Sequence, residues 1–264
     1  MIGNISIDTT RYSDGRTYTL VGGAALYVAL AAARAGTTVR PVAVIGADLQ
    51  RLYVRPWPER LDLSHVASVA DASCRFDIAY DTDGEVVGLT AAYGSAAALT
   101  AHALAVLNRS DCDHWHVCCR RPLNVGQVLE RLVMAGHAFS LDFHVASATE
   151  QISAAKAGLP HAEVVFVNAA EYRLLDGLVA VNELATVVVS DGPGTVILMR
   201  HGRAISTESP QGGPVAEVTG AGDTLAGTFL AKVLQGAAEQ EALASAVTAA
   251  THQARDPGLP YEPP

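Results

Sequence analysis

The chain has few lysines, few aromatic residues and little charge. Lys156 and Lys232 are its two lysines among 264 residues, aromatic residues make up 6%, and the formal net charge at pH 7 is -9. An acidic chain repels polyanions, which argues against nucleic acid as a partner. No apolar run reaches membrane-spanning length, and no charged segment followed by an apolar one opens the sequence. We therefore expect a cytoplasmic protein with no membrane partner.

Two nucleotide-binding signatures are also missing. The string G-x-x-x-x-G-K-[ST] does not occur, which disfavours a P-loop. The glycine-rich turn lies near the C-terminus rather than in the first strand–helix unit, which disfavours a Rossmann dehydrogenase. With so few lysines, a bound polyphosphate would depend on backbone N–H groups, arginine and a metal ion.

Apolar, β-rich runs alternate with helical or turn-rich segments, at 39–45, 114–118, 138–141, 164–167 and 186–189. This alternation predicts an α/β fold with a parallel sheet, and the length fits a single domain over 1–264. Two polar, alternating segments at 16–20 and 75–90, the second with a turn at 81–84, predict antiparallel strands. They would form a small lid from about 10–20 and 72–90.

The run V-T-G-A-G-D-T at 218–224 is the most specific motif. Gly220 and Gly222 flank Ala221 and let the backbone turn into an apolar helix, so that N–H groups and the positive helix end converge on one anion. Asp223 could take a proton from a hydroxyl that attacks a phosphate. Alone, an Asp in a first helical turn is equally well explained by the helix dipole. The combination predicts a kinase.

This motif resembles the C-terminal signature of the ribokinase-like (PfkB) carbohydrate kinase family. Three further parts resemble the family in the same order, namely G-N-I-S-I-D at 3–8 with G-G-A-A at 22–25, V-V-F-V-N-A-A-E at 164–171, and V-V-V-S-D-G-P-G at 187–194. The resemblance implies a ribokinase-like fold, with a mostly parallel central sheet flanked by helices in three layers and a small β-strand lid. Family members often dimerise through the lid, so a homodimer is allowed and the oligomeric state stays open.

The resemblance also implies a role for each matched residue. Asp223 would be the catalytic base, and Gly220, Ala221 and Gly222 the anion hole. Asn168 and Glu171 would organise Mg²⁺, largely through water, and the phosphates of ATP. The other implied contacts are with the acceptor, at Asn4, Asp8, Gly22, Gly23 and Tyr27, and with the nucleotide, at Ser190, Gly192, Gly194 and Thr219.

The predicted function is transfer of the γ-phosphoryl group of ATP to a hydroxyl of a sugar or sugar-like small molecule. One alternative is a nucleoside or aminosugar kinase of the same fold. Another is a non-catalytic sugar- or nucleotide-binding relative, against which the joint presence of Asp223, Asn168 and Glu171 speaks. The sequence does not name the acceptor, the phosphorylated hydroxyl or the preferred nucleotide.

Departures from the family pattern bear on specificity. Tyr27 stands where the family often has an Asn that meets the sugar, so free ribose and fructose should be poor acceptors. Glu217 replaces an Asp in a region that binds a monovalent cation in some relatives, which leaves potassium activation open. Asp142, at a strand end, favours a ligand contact, whereas His144 is better explained as a solvated loop residue. Arg120 and Arg121 also follow a strand, where they could meet a carboxylate or phosphate of the acceptor, although a surface pair explains them equally well.

Cys112, His114, His116 and Cys118 alternate along one predicted strand, so four metal-type ligands could share one face. Neighbouring side chains on a single strand face do not easily surround a tetrahedral ion. We therefore favour small, buried and reduced thiols over a zinc site.

Overall fold

The computed structural model describes residues 1–82, 86–110, 112–213, 215–216, 218–256 and 258–263. The strands in these ranges are β1 (Ser6–Tyr12), β2 (Thr17–Gly22), β3 (Ala43–Ile45), β4 (Val66–Ser68), β5 (Cys74–Tyr80), β6 (Val86–Ala92), β7 (Trp115–Cys119), β8 (Phe139–Phe143), β9 (Val164–Asn168), β10 (Thr186–Ser190), β11 (Val196–Arg200) and β12 (Arg203–Glu208). The helices are α1 (Ala24–Arg34), α2 (Leu99–Leu107), α3 (Val125–Ala135), α4 (Ala148–Ala155), α5 (Ala169–Leu178), α6 (Ala221–Leu234) and α7 (Glu239–Gln253).

The central sheet has six strands in the order β12-β11-β10-β9-β8-β7. Strands β7 to β10 are parallel, whereas β11 and β12 are antiparallel to their neighbours. The parallel strands are almost wholly buried because helices cover both faces, which explains their continuous apolar sequences. The predicted α/β fold with a mostly parallel sheet is therefore confirmed.

The first residues of the chain extend this sheet beyond β7. The amide of Ile2 donates to the His116 carbonyl at 2.7 Å, and the amide of Cys118 donates to the Ile2 carbonyl at 2.9 Å. On its other side Ile2 pairs with Val42, next to β3, which is itself paired with β4. The predicted strand at 39–45 is shorter than expected, since only Ala43–Ile45 is extended; Pro41 has no N–H to give to a ladder.

Helices α2 to α5 pack on one face of the sheet, and α1, α6 and α7 lie on the other. Apolar side chains of β9 divide accordingly, with Val165 in the first core and Phe166 packed edge-to-face on Phe229 of α6 in the second. Gly227 lets α6 approach α1, because a Cβ there would lie 2.2 Å from the Val28 carbonyl oxygen. None of the helices in the described ranges is long and apolar enough to cross a membrane.

A separate four-stranded sheet forms the lid, in the order β2-β1-β5-β6. Its strands β2, β5 and β6 cover the two segments predicted for a lid, although β1 begins earlier than expected, at Ser6, and pairs with β5 in parallel. The two inner strands of this sheet, β1 and β5, thus come from distant parts of the sequence. The predicted turn at 81–84 ends in residues 83 and 84, which lie outside the described ranges.

Candidate active site

A cleft of about 1370 Å³ lies between the lid and the carboxyl ends of strands β7 to β10. Its walls include the residues directly after these strands, at 120–121, 144–147, 169–171 and 191–193. Open α/β sheets bind ligands at this edge, and a single small-molecule pocket commonly measures roughly 300–1,000 Å³. The cleft is therefore large enough for two reactants side by side.

The start of helix α6 forms the floor at the centre of the cleft. Gly220 has φ +79°, a left-handed conformation that glycine adopts without strain, and a Cβ there would lie 2.7 Å from the ring of Tyr27. The amide of Ala221 donates to the Val218 carbonyl at 3.2 Å, whereas the amides of Gly222 and Asp223 have no acceptor among the described residues. Two N–H groups at the positive helix end are thus available to an anion.

Asp223 is buried in the first turn of α6 and shares a guanidinium with a second carboxylate. Nη2 of Arg120 donates to Oδ1 of Asp223 at 2.7 Å and to Oδ2 of Asp142 at 2.6 Å. Burial raises the pKa of both carboxyl groups, and the charge of Arg120 opposes that rise. The two carboxylates in turn hold the pKa of Arg120 above its ordinary value despite its burial. A carboxylate with a raised pKa at an anion site suits a general base.

Asn168 and Glu171 meet in a capping box at the start of α5. Oδ1 of Asn168 accepts from the Glu171 amide, and Oε2 of Glu171 accepts from the Asn168 amide, both at 2.8 Å. Glu171 is 4% exposed, and burial raises its pKa to about 7. Glu171 is therefore not a solvated residue at the start of a helix, because its side chain is buried and lines the cleft.

Asp8 lies on β1 at the lid end of the cleft and is 4% exposed. Its Oδ1 accepts from the Ser6 hydroxyl at 2.6 Å. A Cβ on Gly22 would lie 1.9 Å from Oδ2 of Asp8, so this glycine is needed for the carboxylate to fit. Gly23 has φ +98°, and a Cβ there would lie 2.3 Å from the carbonyl oxygen of Asn4. Gly22 leaves room for the carboxylate of Asp8, and Gly23 lets the backbone pass close to Asn4.

Asn4 and Tyr27 complete this end of the cleft. Nδ2 of Asn4 donates to the Arg121 carbonyl at 2.9 Å, which ties the N-terminal motif to the turn after β7. Tyr27 is 2% exposed and packs its ring beneath Gly220. Its position joins the lid end of the cleft to the turn that carries Asp223.

The inner face of the lid is mostly apolar. Alternate residues of each strand face the cleft, and the strand register places Asp8 beside Phe76 and Phe76 opposite Ala91. The apolar and aromatic residues on this wall are Phe76, Ile78, Tyr80, Leu89, Ala91 and Tyr93. The hydroxyls of Tyr80 and Thr219 lie 3.2 Å apart, so the lid directly contacts the glycine-rich motif at 218–224.

The opposite end of the cleft is formed by the turn after β10 and by helix α7. Ser190 ends the strand, Gly192 has φ +51°, and the amide of Gly194 closes the turn on the Asp191 carbonyl at 2.7 Å. Ser190 and Gly192 line the cleft together with Val247, Ala250 and Thr251 of α7 and with Ala254 directly after it. Thr219 and Gly220 to Asp223 lie between this end and the lid.

The comparisons with known proteins agree with this architecture. The model of the pfkB family of carbohydrate kinases matches residues 1–261. The chain belongs to this family. It is 27% identical over 254 residues to a cytidine kinase of Thermococcus kodakarensis, covering 89% of this chain and 88% of the relative. As a member of this family, the chain is a phosphotransferase whose acceptor is an alcohol group.

Two solved structures show the same fold as this PfkB kinase. A nucleoside kinase of Burkholderia thailandensis in complex with inosine has a TM-score of 0.80 at 19% identity, covering 97% of this chain and 90% of that one. A suspected ribokinase II of E. coli in complex with ATP and Mg²⁺ has a TM-score of 0.76 at 17% identity, covering 97% and 92%. The predicted ribokinase-like fold is thus confirmed.

Sequence reasoning missed or undervalued several residues that line the site of the PfkB kinase. The sequence indicates for Arg120 either a surface position or a contact with an anionic acceptor, and its pairing with Asp223 has no sequence signal beyond its place after a strand. His144 lines the cleft, and burial lowers its pKa to about 4, so its ring is neutral at pH 7. Gly22 and Gly194 are not among the described lining residues, and Glu217 lies outside the described ranges.

Proposed function

We propose that this PfkB kinase transfers the γ-phosphoryl group of ATP to a hydroxyl of a nucleoside, with Mg²⁺ as the metal. The observation that carries the chemistry is the buried carboxylate of Asp223 beside two N–H groups that have no acceptor among the described residues. Asp223 removes the proton of the attacking hydroxyl, and the amides of Gly222 and Asp223 stabilise charge on the transferred phosphoryl oxygens.

Asn168 and Glu171 are proposed to hold water of the metal's hydration shell. The capping box uses one oxygen of each side chain, and the second carboxylate oxygen of Glu171 has no protein partner among the described residues. A carboxylate oxygen without a protein partner at the edge of the cleft fits the oxygen-rich, partly hydrated surroundings that Mg²⁺ prefers. When bound, the metal neutralises charge on the polyphosphate.

A nucleoside fits the acceptor end better than a bare sugar does. Asp8 can accept hydrogen bonds from two neighbouring hydroxyls of a ribose, and the adjacent lid wall offers Phe76 and Tyr93 for stacking on a base. The relatives that act on cytidine or bind inosine support this choice. A plain sugar is the second candidate, because Asp8 alone suffices to hold a polyol; it would leave the apolar wall without a partner.

A panel of acceptors tests the proposal. With ATP and Mg²⁺, cytidine, inosine, adenosine and uridine should give acceptor-dependent ADP release with kcat/KM at least ~10-fold above that of free ribose or fructose, because the sugar alone buries none of the lid's apolar wall. Higher kcat/KM for ribose than for every nucleoside would establish the sugar instead. ADP release without dependence on any acceptor would contradict kinase activity toward either class.

The metal role is tested by Glu171→Gln. Gln at this position keeps the capping box, so helix α5 should still begin at the same place, while the charge that orders metal-bound water is lost. We expect the Mg²⁺ concentration for half-maximal rate to rise by roughly an order of magnitude with a smaller change in kcat at saturating metal. Glu183→Gln, on an exposed turn outside the cleft, is the matched control. Equal Mg²⁺ dependence in both variants would remove Glu171 from the site.

A further inference from the structure

Three potential metal ligands converge beneath the active site, on the parallel strands β7 and β8. His116 and Cys118 point to one face of β7, and the register pairs Cys118 with Asp142 of β8. One donor atom from each residue lies within 4.8 Å of the other two. The three residues are buried, with exposed fractions of 0%, 1% and 5%, and Asp142 borders the cleft.

The donor atoms that face each other are those that lack partners. Nε2 of His116 and Oδ1 of Asp142 make no hydrogen bond with a described residue, and their separation of 3.7 Å is too long for one. The remaining atoms of the same groups are held in place. Nδ1 of His116 lies 2.9 Å from the Ser140 hydroxyl, and Oδ2 of Asp142 accepts from Arg120. Protein metal ligands are commonly oriented by such outer hydrogen bonds.

The charges around these residues also favour a cation. Asp142 and Asp223 are both buried and accept from the same nitrogen of Arg120, so two carboxylates share one guanidinium. A buried charge without a counter-charge is costly, and a divalent ion bound by Asp142 and a Cys118 thiolate would remove the imbalance.

We propose that His116, Cys118 and Asp142 bind a thiophilic divalent cation such as Zn²⁺, at a site separate from Asn168 and Glu171. Two ligands on a tetrahedral ion are about 3.4 Å apart when each bond is about 2.1 Å, close to the observed 3.7 Å between Nε2 and Oδ1. The ion replaces the thiol proton of Cys118, which leaves to solvent, and an exogenous ligand such as water takes the fourth position.

This set differs from the four alternating residues considered from the sequence. The ring of His114 lies 2.9 Å from Ser140 instead, and Cys112 is not part of the cluster in the described structure. The objection that one strand face cannot surround an ion no longer applies, because Asp142 provides a ligand from the neighbouring strand. The bound ion would fix Oδ1 of Asp142 and thereby the direction from which Arg120 approaches Asp223.

Cobalt provides a readout that does not depend on kinase activity. The full-length protein, freed of metal by chelation, is titrated with Co²⁺ in the presence of excess Mg²⁺. We expect a thiolate-to-cobalt charge-transfer band together with the visible bands of tetrahedral cobalt. Cys118→Ala should abolish the charge-transfer band. Cys119→Ala is the matched control, because it removes the same atoms from an equally buried neighbour on the opposite strand face and should retain the band.

Zinc binding is measured separately, through the melting temperature. Zn²⁺ should raise the melting temperature of the wild type and of Cys119→Ala but not of Cys118→Ala. Should Cys118→Ala fail to fold, Ser140→Ala serves in its place, because loss of the hydrogen bond to His116 should weaken metal affinity by roughly 10- to 100-fold. A wild-type protein without the cobalt band, or equal affinity in both alanine variants, overturns the proposal. Cobalt displaced by Mg²⁺ would place the ion in the magnesium site and overturn it as well.

Discussion

Asp223→Asn is expected to lower kcat by at least ~100-fold while the protein still binds ATP. The amide keeps the size of the side chain and can still meet Arg120, but it cannot accept the proton of the attacking hydroxyl. Steady-state kinetics with a saturating acceptor measure the loss, and nucleotide binding is followed by calorimetry. The KM for the acceptor should change much less than kcat, because the base acts mainly in the transition state.

A matched substitution separates this effect from a general loss of an acid. Asp62 caps a short helical turn and pairs with Arg40 away from the cleft, so Asp62→Asn should leave kcat unchanged. If Asp223→Asn turned over at a near-normal rate, the proton would have to leave by another route and Asp223 would not be the base.

Arg120→Met should be almost as damaging, and its effect should depend on pH. Without the guanidinium, the buried carboxylates of Asp142 and Asp223 face each other, which raises their pKa values above those already raised by burial. At least one carboxyl group then holds a proton near pH 7, so the base is inactive in most molecules. We expect kcat at pH 7 to fall ~100-fold or more and to recover in part as the pH rises through the new pKa.

The measurements are pH–rate profiles and denaturant unfolding curves of the wild type and of Arg120→Met. The acid limb of the Arg120→Met profile should lie at higher pH than that of the wild type, and the free energy of unfolding should drop by about 3–5 kcal/mol, the usual cost of breaking a buried ion pair. Arg40→Met removes a half-exposed, paired arginine outside the cleft and should change neither the acid limb nor the free energy of unfolding by a comparable amount. An unshifted acid limb in Arg120→Met would show that this arginine does not set the protonation of the base.

The glycine-rich motif at 218–224 could be predicted from the sequence because its residues act within one turn of backbone. Gly220 needs a left-handed backbone, and Asp223 follows within one helical turn, so their relation is fixed by covalent geometry and the start of α6. The capping box of Asn168 and Glu171 is local in the same way. Contacts within three or four residues leave a readable spacing in a single sequence.

Other parts of the site depend on contacts between segments far apart in the sequence, and no residue spacing predicts these contacts. Arg120 meets Asp223 across 103 positions, at a place where parallel strands bring their carboxyl ends together. The lid was predicted from alternation, but the place of β1 between β2 and β5 was not, because a parallel partner is chosen by the whole sheet rather than by a turn. The apolar wall facing the cleft follows from that arrangement.

The sequence by itself determined the α/β fold, the family and the turn that carries Asp223, since strand–helix alternation and short-range motifs report backbone preferences directly. The tertiary structure alone decided which charges share a buried environment: Arg120 between two carboxylates, and Asp142 rather than Cys112 or His114 beside His116 and Cys118. The physical reason is that burial and strand register decide both the strength of an electrostatic contact and whether its atoms meet at all.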